Sequence, residues 1–404
     1  MPTEKRQRIL ALDLLRGYFL FVIILDHLFR FPSAFEFFTG RGQLWVSAAE
    51  GFFIISGLLV GYLYGPKVKE TFRWVVAKIW KRAGKLYLCS IGLTLLFTFW
   101  GQFLPGNIIK SGIWPGGGLG DLIFKTLTLQ YVYGWADFLA YYVVFMLFAP
   151  LALWVVEKVG GWAVIVVSLA IWALRGESFY RAWQVLFMSG IVVGYYLPRF
   201  EVWFANLGSN HKIKIRLALT RATVLTLLLS VLFVYGIGYE DTGAGFLAKI
   251  FPSAASTLAV FERFDDGLRP WFDKNTLALG RLSLAWLWFM TFYLVVREYE
   301  EKIEKWTKGF FRTLGEHSLF VYGLHAIVLF PINVIVPWQY NFMENTVVDI
   351  AVLTVIYLIV VNRKRLWDDA LAAARIYLWQ QRLAFVVELP KYIFLLLVGS
   401  GFKG

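Results

Sequence analysis

The stretch Leu12–Phe29, LDLLRGYFLFVIILDHLF, decides how the chain is read. It is apolar enough to cross a bilayer, yet it carries Asp13, Arg16, Asp26 and His27. A charged side chain at the bilayer centre costs about 2.5–3.5 kcal/mol or more, so ionisable groups inside a span mark a substrate or ion path by default. The helix repeat sorts these four. Arg16 and His27 are eleven residues apart, which leaves an angular offset of about 20° and a rise of about 16 Å. They share one stripe at two depths. Asp13 lies three residues before Arg16 and is placed to pair with it. Asp26 points about 100° away from His27 and reads as solvated at the surface.

The rest of the chain fits the same setting. Of 404 residues, 59% are hydrophobic and only 17% charged, with a mean hydropathy of +0.62. Several runs reach the roughly 20 apolar residues that cross a hydrocarbon core of about 30 Å. The fold class is an all-α polytopic membrane protein. Spans are expected at about 8–28, 44–64, 86–104, 137–156, 161–175, 182–198, 217–238, 281–297, 317–336 and 345–362. Lys5, Arg6 and Arg8 precede the first span, and the loops after the even-numbered spans are rich in Lys and Arg; the alternate loops are poor in them. That asymmetry puts both termini in the cytoplasm. It also accounts for the net charge of +13 without a nucleic-acid partner.

Residues 1–365 thus read as one ten-helix transmembrane domain and 366–404 as a cytoplasmic amphipathic or interfacial tail, with an eleventh span as the alternative. Glycine-rich 101–120 reads as an outer loop, 121–135 as re-entrant or interfacial, and 239–280 as a long outer segment. The basic start is an uncleaved first span, because Asp13 and Arg16 interrupt its apolar run. The lone Cys89 excludes an internal disulfide and a cysteine-based zinc site, and no metal is expected.

The second span opens WVSAAEGFFIISGLLVG from Trp45. Antiparallel packing brings Glu50 to the depth of His27, where a carboxylate would orient an imidazole. Gly51, Ser56, Gly57 and Gly61 allow close helix approach, and a narrow tunnel would need the same small residues. Asp137, Tyr141, Trp183, Gln184 and Arg281 fall at the outer ends of later spans. Aromatic residues there are commonly belt residues. With polar companions they form an expected sugar site, with Trp183 stacking on a glycan ring. His325 is mid-depth on the ninth span.

Arg16-x10-His27, then FFIISG, then the basic pair Arg82 and Lys85, then SLFVYGLH ending at His325, resemble the acyltransferase-3 membrane family. Within it, ALDLLRGYFLFVIILDH, AAEGFFIISG, DFLAYYVVFMLFAP, AWQVLF and DKNTLALGRL resemble the OpgC branch, which is associated with succinylation of osmoregulated periplasmic glucans. The resemblance covers about positions 8–330. It implies an inner-membrane O-acyltransferase that moves a succinyl or acetyl group from cytoplasmic acyl-CoA to a hydroxyl of an extracytoplasmic glycan. Its Arg-x10-His signature makes His27 the catalytic histidine. Phe53, Ser56 and Gly57 match its aromatic-x-x-Ser-Gly motif, and Tyr322 and His325 match the motif of the ninth span. Arg82 matches the first position of an Arg-x-x-Arg pair. Lys85 departs at the second, keeping a point charge but losing the bidentate fork.

On that reading Arg82 and Lys85 hold the CoA phosphates, Ser56 and His325 line the donor path, and His27 is the general base, worth typically 10²–10⁴-fold. The oxyanion donor is Arg16, Ser56 or a tyrosine. Direct transfer comes first, with an acyl-histidine or acyl-Ser56 intermediate as the alternative. A membrane transporter of a glycan or acyl anion is the competing function, but its two halves would be expected to show an inverted repeat of broken spans, and none is apparent. A purely structural role leaves the polar stripe unexplained.

Overall fold

Hydrocarbon gives backbone N–H and C=O groups no partner but one another, and a long apolar run therefore crosses as a helix. The computed structural model describes residues 8–101, 117–237 and 266–365, and among these the secondary structure is helical, without strands. In chain order the helices are α1 (Leu10–Leu28), α2 (Glu36–Thr39), α3 (Ala48–Tyr64), α4 (Val68–Gly101), α5 (Leu119–Leu127), α6 (Asp137–Lys158), α7 (Gly161–Ala173), α8 (Phe179–Asn206), α9 (Ser209–Val231), α10 (Leu279–Trp306), α11 (Phe310–Glu316) and α12 (Ser318–Ile335). The last, α13, is Phe342–Arg365. One compact unit runs to Leu353 and a second begins at Thr354; the described part of the second is helical and ends on Arg363, Lys364 and Arg365.

Among the described residues, seven helical stretches are long and apolar enough to cross a bilayer. They are Ala48–Gly101, which holds α3 and α4, then α6, α8, the stretch Ser209–Tyr235, α10, α12 and α13. α1 is 19 residues long, but its three formal charges at Asp13, Arg16 and Asp26 set it apart from these by composition. α7 is shorter than the span expected over 161–175. It has 13 residues and so rises about 20 Å against a core of about 30 Å. The expected re-entrant stretch 121–135 contributes the nine-residue α5, too short to cross. The long loops at 101–120 and 239–280 fall largely, and the tail 366–404 wholly, outside the described residues.

α1 is the centre of the bundle. Leu12, Leu20, Ile24 and Leu25 are fully buried, and so are residues on every other face of it, from Leu15 to Val22. A helix buried on all its faces needs neighbours all round. The glycines of FFIISGLLVG serve close packing. A Cβ on Gly57 would stand 2.0 Å from the Phe187 carbonyl oxygen, and one on Gly194 1.9 Å from that of Leu58. These residues let the backbones of α3 and α8 touch.

Candidate active site

His27 lies in the last turn of α1 and is half-buried, while His325, in the middle of α12, is fully buried. Nδ1 of His27 lies 2.9 Å from Nε2 of His325. Nδ1 of His325 in turn contacts the carbonyl oxygen of Tyr322, one turn back on its own helix. These partners assign the protons. A carbonyl only accepts, so Nδ1–H of His325 donates to Tyr322. Nε2 of His325 is then an acceptor, and Nδ1–H of His27 donates to it. In the neutral pair the nitrogen of His27 with a free lone pair is Nε2.

An aromatic wall fixes the rings. Trp135 stacks on His27 with centroids 6.4 Å apart and planes 16° from parallel. The Tyr322 hydroxyl donates to the Trp135 carbonyl at 3.1 Å, and the Tyr322 ring stands edge-on to His325 at 4.8 Å. Phe97 packs edge-on against Trp135 from α4. One indole therefore covers the base, and the residue that shapes His325 also holds that indole.

The carboxylate expected to orient His27 is engaged elsewhere. Glu50 is completely buried, with Oε1 2.5 Å from Nε of Arg281. Its Oε2 accepts from the backbone N–H and the hydroxyl of Ser47 at 2.8 and 2.7 Å, closing the first turn of α3. Arg281 also donates to the carbonyls of Phe272 and Leu44. The pair thus clamps the start of α3 to the start of α10. The physical reason is charge: a buried carboxylate is held far better by a guanidinium than by a neutral ring. Asp26, read as solvated, has one carboxylate oxygen buried without a partner and turns toward Gly42.

The expected sugar site divides. Trp183 is fully buried, stacked on Phe179 at 4.6 Å and 8°, and its indole N–H donates to the Lys274 carbonyl at 3.1 Å. A ring enclosed on this scale has no face for a glycan; it anchors a loop. Gln184 is also buried and satisfied, bonded to both the hydroxyl and the carbonyl of Ser168. Tyr141 and Asp137 remain at the surface side: Tyr141 is half-buried and stacks on Phe179 at 4.2 Å, and Asp137 accepts the Phe138 N–H at 2.5 Å.

Lys274, quoted inside DKNTLALGRL but given no role there, is the residue that sequence reasoning missed. Its ammonium lies within electrostatic reach of His27, Asp26, Glu50 and Asp137. The turn that carries it is well braced. The N–H and hydroxyl of Thr276 donate to the Asp273 carboxylate at 2.7 and 2.6 Å. Partial burial opposes ionisation of Asp273, but those bonds outweigh it and hold its carboxyl below the usual range. A single lysine in a mixed-charge segment gave no sequence signal.

At the other end of α1, Arg16 lines a cavity of about 30 Å³ with Arg82, Ser56, Tyr142 and Tyr322. The expected Asp13–Arg16 pair does not form. Asp13 accepts from Arg8 at 2.5 Å, and Arg8 also reaches Glu316 at 3.3 Å. Arg16 has one long bond, 3.4 Å to the Gly315 carbonyl, and its Nε is buried without a partner. That placement follows from a close approach: a Cβ on Gly315 would stand 1.9 Å from the Asp13 carbonyl oxygen, so α11 lies directly on α1. Arg82 faces Arg16 and repels it electrostatically. Two guanidinium groups turned into one cavity form a site for an anion. Lys85 is exposed and does not line it.

The fold and these two ends define a class: a helical, multi-pass membrane protein with a histidine pair at one end of its central helix and an anion-seeking cavity at the other. The profile of the OpgC protein family matches residues 8–367, and the chain belongs to that family. Membership implies a transferase role in glucan modification. Searches of curated proteins and of solved structures found no match to the chain.

Proposed function

We propose that the chain is a ten-span inner-membrane O-acyltransferase, related to the wider acyltransferase-3 family, that carries an acyl group from cytoplasmic acyl-CoA to a hydroxyl of an extracytoplasmic glycan. The observation that carries this reading is the contact of 2.9 Å between Nδ1 of His27 and Nε2 of His325, which leaves Nε2 of His27 as a positioned base. Counting α3 and α4 as separate passes, and adding α1 and α7, brings the seven long apolar stretches to ten, in keeping with the Lys/Arg asymmetry of the loops and cytoplasmic termini.

The chemistry balances on those residues. Nε2 of His27 takes the proton of the acceptor hydroxyl as its oxygen attacks the thioester carbonyl carbon. The C–S bond of the tetrahedral intermediate then breaks, and the imidazolium returns the proton to the thiolate of CoA. His325 accepts the Nδ1–H bond throughout, and that bond strengthens when His27 is charged. Trp135, stacked along the ring with centroids 6.4 Å apart, keeps its plane in place. Arg16 and Arg82 hold the anionic end of the donor, and Tyr141 and Asp137 contact the sugar. Lys274 favours an acyl group with its own carboxylate, succinyl over acetyl.

The test is release of CoA by the purified protein with a glucan acceptor. His27→Ala should lower the rate 10²–10⁴-fold. An unaffected rate would falsify the assignment, and solute flux without CoA release would make the protein a transporter.

A further inference from the structure

α6, α7 and α8 leave between them a cavity of about 320 Å³. Its walls include Phe148, Leu151, Val155, Val164, Val167 and Ile171. Phe148 is 56% exposed, Leu151 56% and Val167 59%, so the cavity opens sideways off the bundle, where the solvent of a membrane helix is lipid. The two polar side chains at its floor are spent on each other, with the Ser168 hydroxyl 2.6 Å from Oε1 of Gln184 and the Gln184 amide 2.7 Å from the Ser168 carbonyl. A cavity of this lining takes an apolar occupant in preference to water.

Length and charge identify the occupant. On α6 the lining runs from Val144 to Val155, about 16 Å of helix. One leaflet of hydrocarbon is about 15 Å deep, half of the core. α7 is too short to fill the full depth and leaves the groove open beside it. At the His27 end the apolar lining gives way to Tyr180 and Arg181. The Arg181 side chain is exposed and makes one long bond, 3.4 Å to the Leu174 carbonyl. Arg175, stacked on Trp172 at 4.1 Å, adds a second positive charge to the same connection.

We propose that this groove holds one acyl chain of an anionic phospholipid from the leaflet at the His27 end, with the lipid phosphate on Arg181. The bound lipid braces the aromatic side of the mouth, because Tyr180 packs edge-on against Tyr141 at 4.7 Å and Tyr141 stacks on Phe179.

The experiment uses the full chain, purified in mild detergent and exchanged with vesicles of phosphatidylglycerol or of phosphatidylcholine, with retained lipids counted by native mass spectrometry. One phosphatidylglycerol per chain should survive at concentrations where phosphatidylcholine is lost. Arg181→Gln should weaken that retention roughly tenfold, the value of one charge-assisted hydrogen bond. Ala163→Phe puts a ring into the groove and should abolish it. Equal retention of the two lipids by the wild type, or undiminished retention in Ala163→Phe, overturns the proposal. If Ala163→Phe does not fold, Arg181→Gln decides alone, since its side chain is exposed: an unchanged preference for phosphatidylglycerol rejects the site.

Discussion

Replacing His325 by alanine isolates what the second histidine does for the first. The wild-type pair gives His27 one acceptor for Nδ1–H, and in the charged transition state that bond is charge-assisted, worth about 1.5–3 kcal/mol. At 1.4 kcal/mol per decade, its loss lowers kcat by roughly 10- to 100-fold. The tautomer matters as well. With Nδ1–H unpartnered, the ring gains by moving its proton to Nε2, and the base nitrogen is then the wrong one. KM for acyl-CoA should change little, because on the proposed reading the charged end of the donor is held about 16 Å away at Arg16.

The assay is steady-state CoA release, with the melting temperature of each variant as a control, since His325 is buried and its truncation leaves a cavity. His325→Gln keeps an oxygen able to accept from Nδ1–H and should recover part of the loss. His27→Ala combined with His325→Ala should be no slower than His27→Ala alone, because residues acting as one unit are not additive. Two results refute the reasoning: full kcat in His325→Ala, or rate losses that multiply in the double variant.

Three further outcomes follow from the same geometry. Glu50→Ala leaves Arg281 buried and uncompensated, which should cost about 3–5 kcal/mol of stability, read as a fall in melting temperature that Glu50→Leu with Arg281→Met partly restores. Lys274→Met should raise KM for succinyl-CoA several-fold and leave that for acetyl-CoA nearly unchanged; equal effects on both donors would refute a role in holding the acyl carboxylate. Arg82→Ala should raise KM for acyl-CoA while Lys85→Ala does not, since Arg82 lines the cavity and Lys85 does not, and Arg82→Ala should have no effect on a truncated thioester that lacks the phosphates.

What the sequence showed plainly was the content of single helices. The periodicity of α1 put Arg16 and His27 on one stripe at two depths, and the small residues of α3 announced close packing, because both are local properties of a helix. What it hid was partnership across the chain. His27 and His325 are 298 residues apart, and Glu50 and Arg281 are 231 apart; no local spacing encodes either contact. The errors share one cause. Each ionisable group was paired with the nearest suitable neighbour in sequence or depth, Asp13 with Arg16 and Glu50 with His27. The pairing goes instead to whichever opposite charge the packing delivers, the exposed Arg8 in one case and the buried Arg281 in the other. Trp183 fails differently. An aromatic residue at a span end is equally at home in a belt, a sugar platform or a core, and burial decides among them only once α3, α6 and α8 are packed.

Those displaced pairings leave a consequence for the donor. Because Asp13 is taken by Arg8 and Glu50 by Arg281, neither Arg16 nor His27 has a carboxylate of its own. Arg16 is left with a buried Nε that has no partner, and His27 lies beside a second imidazole rather than a carboxylate. Both sit on α1, so on the proposed reading the anion and the reacting carbon are separated by about eleven residues of helix, about 16 Å. A donor that meets both, as proposed, is anionic at one end, reactive at the other, and thin and nearly neutral between. Acyl-CoA has that form, with its phosphates and thioester separated by the pantetheine arm. A short acyl phosphate, whose charge adjoins its carbonyl, cannot reach both ends of α1 at once.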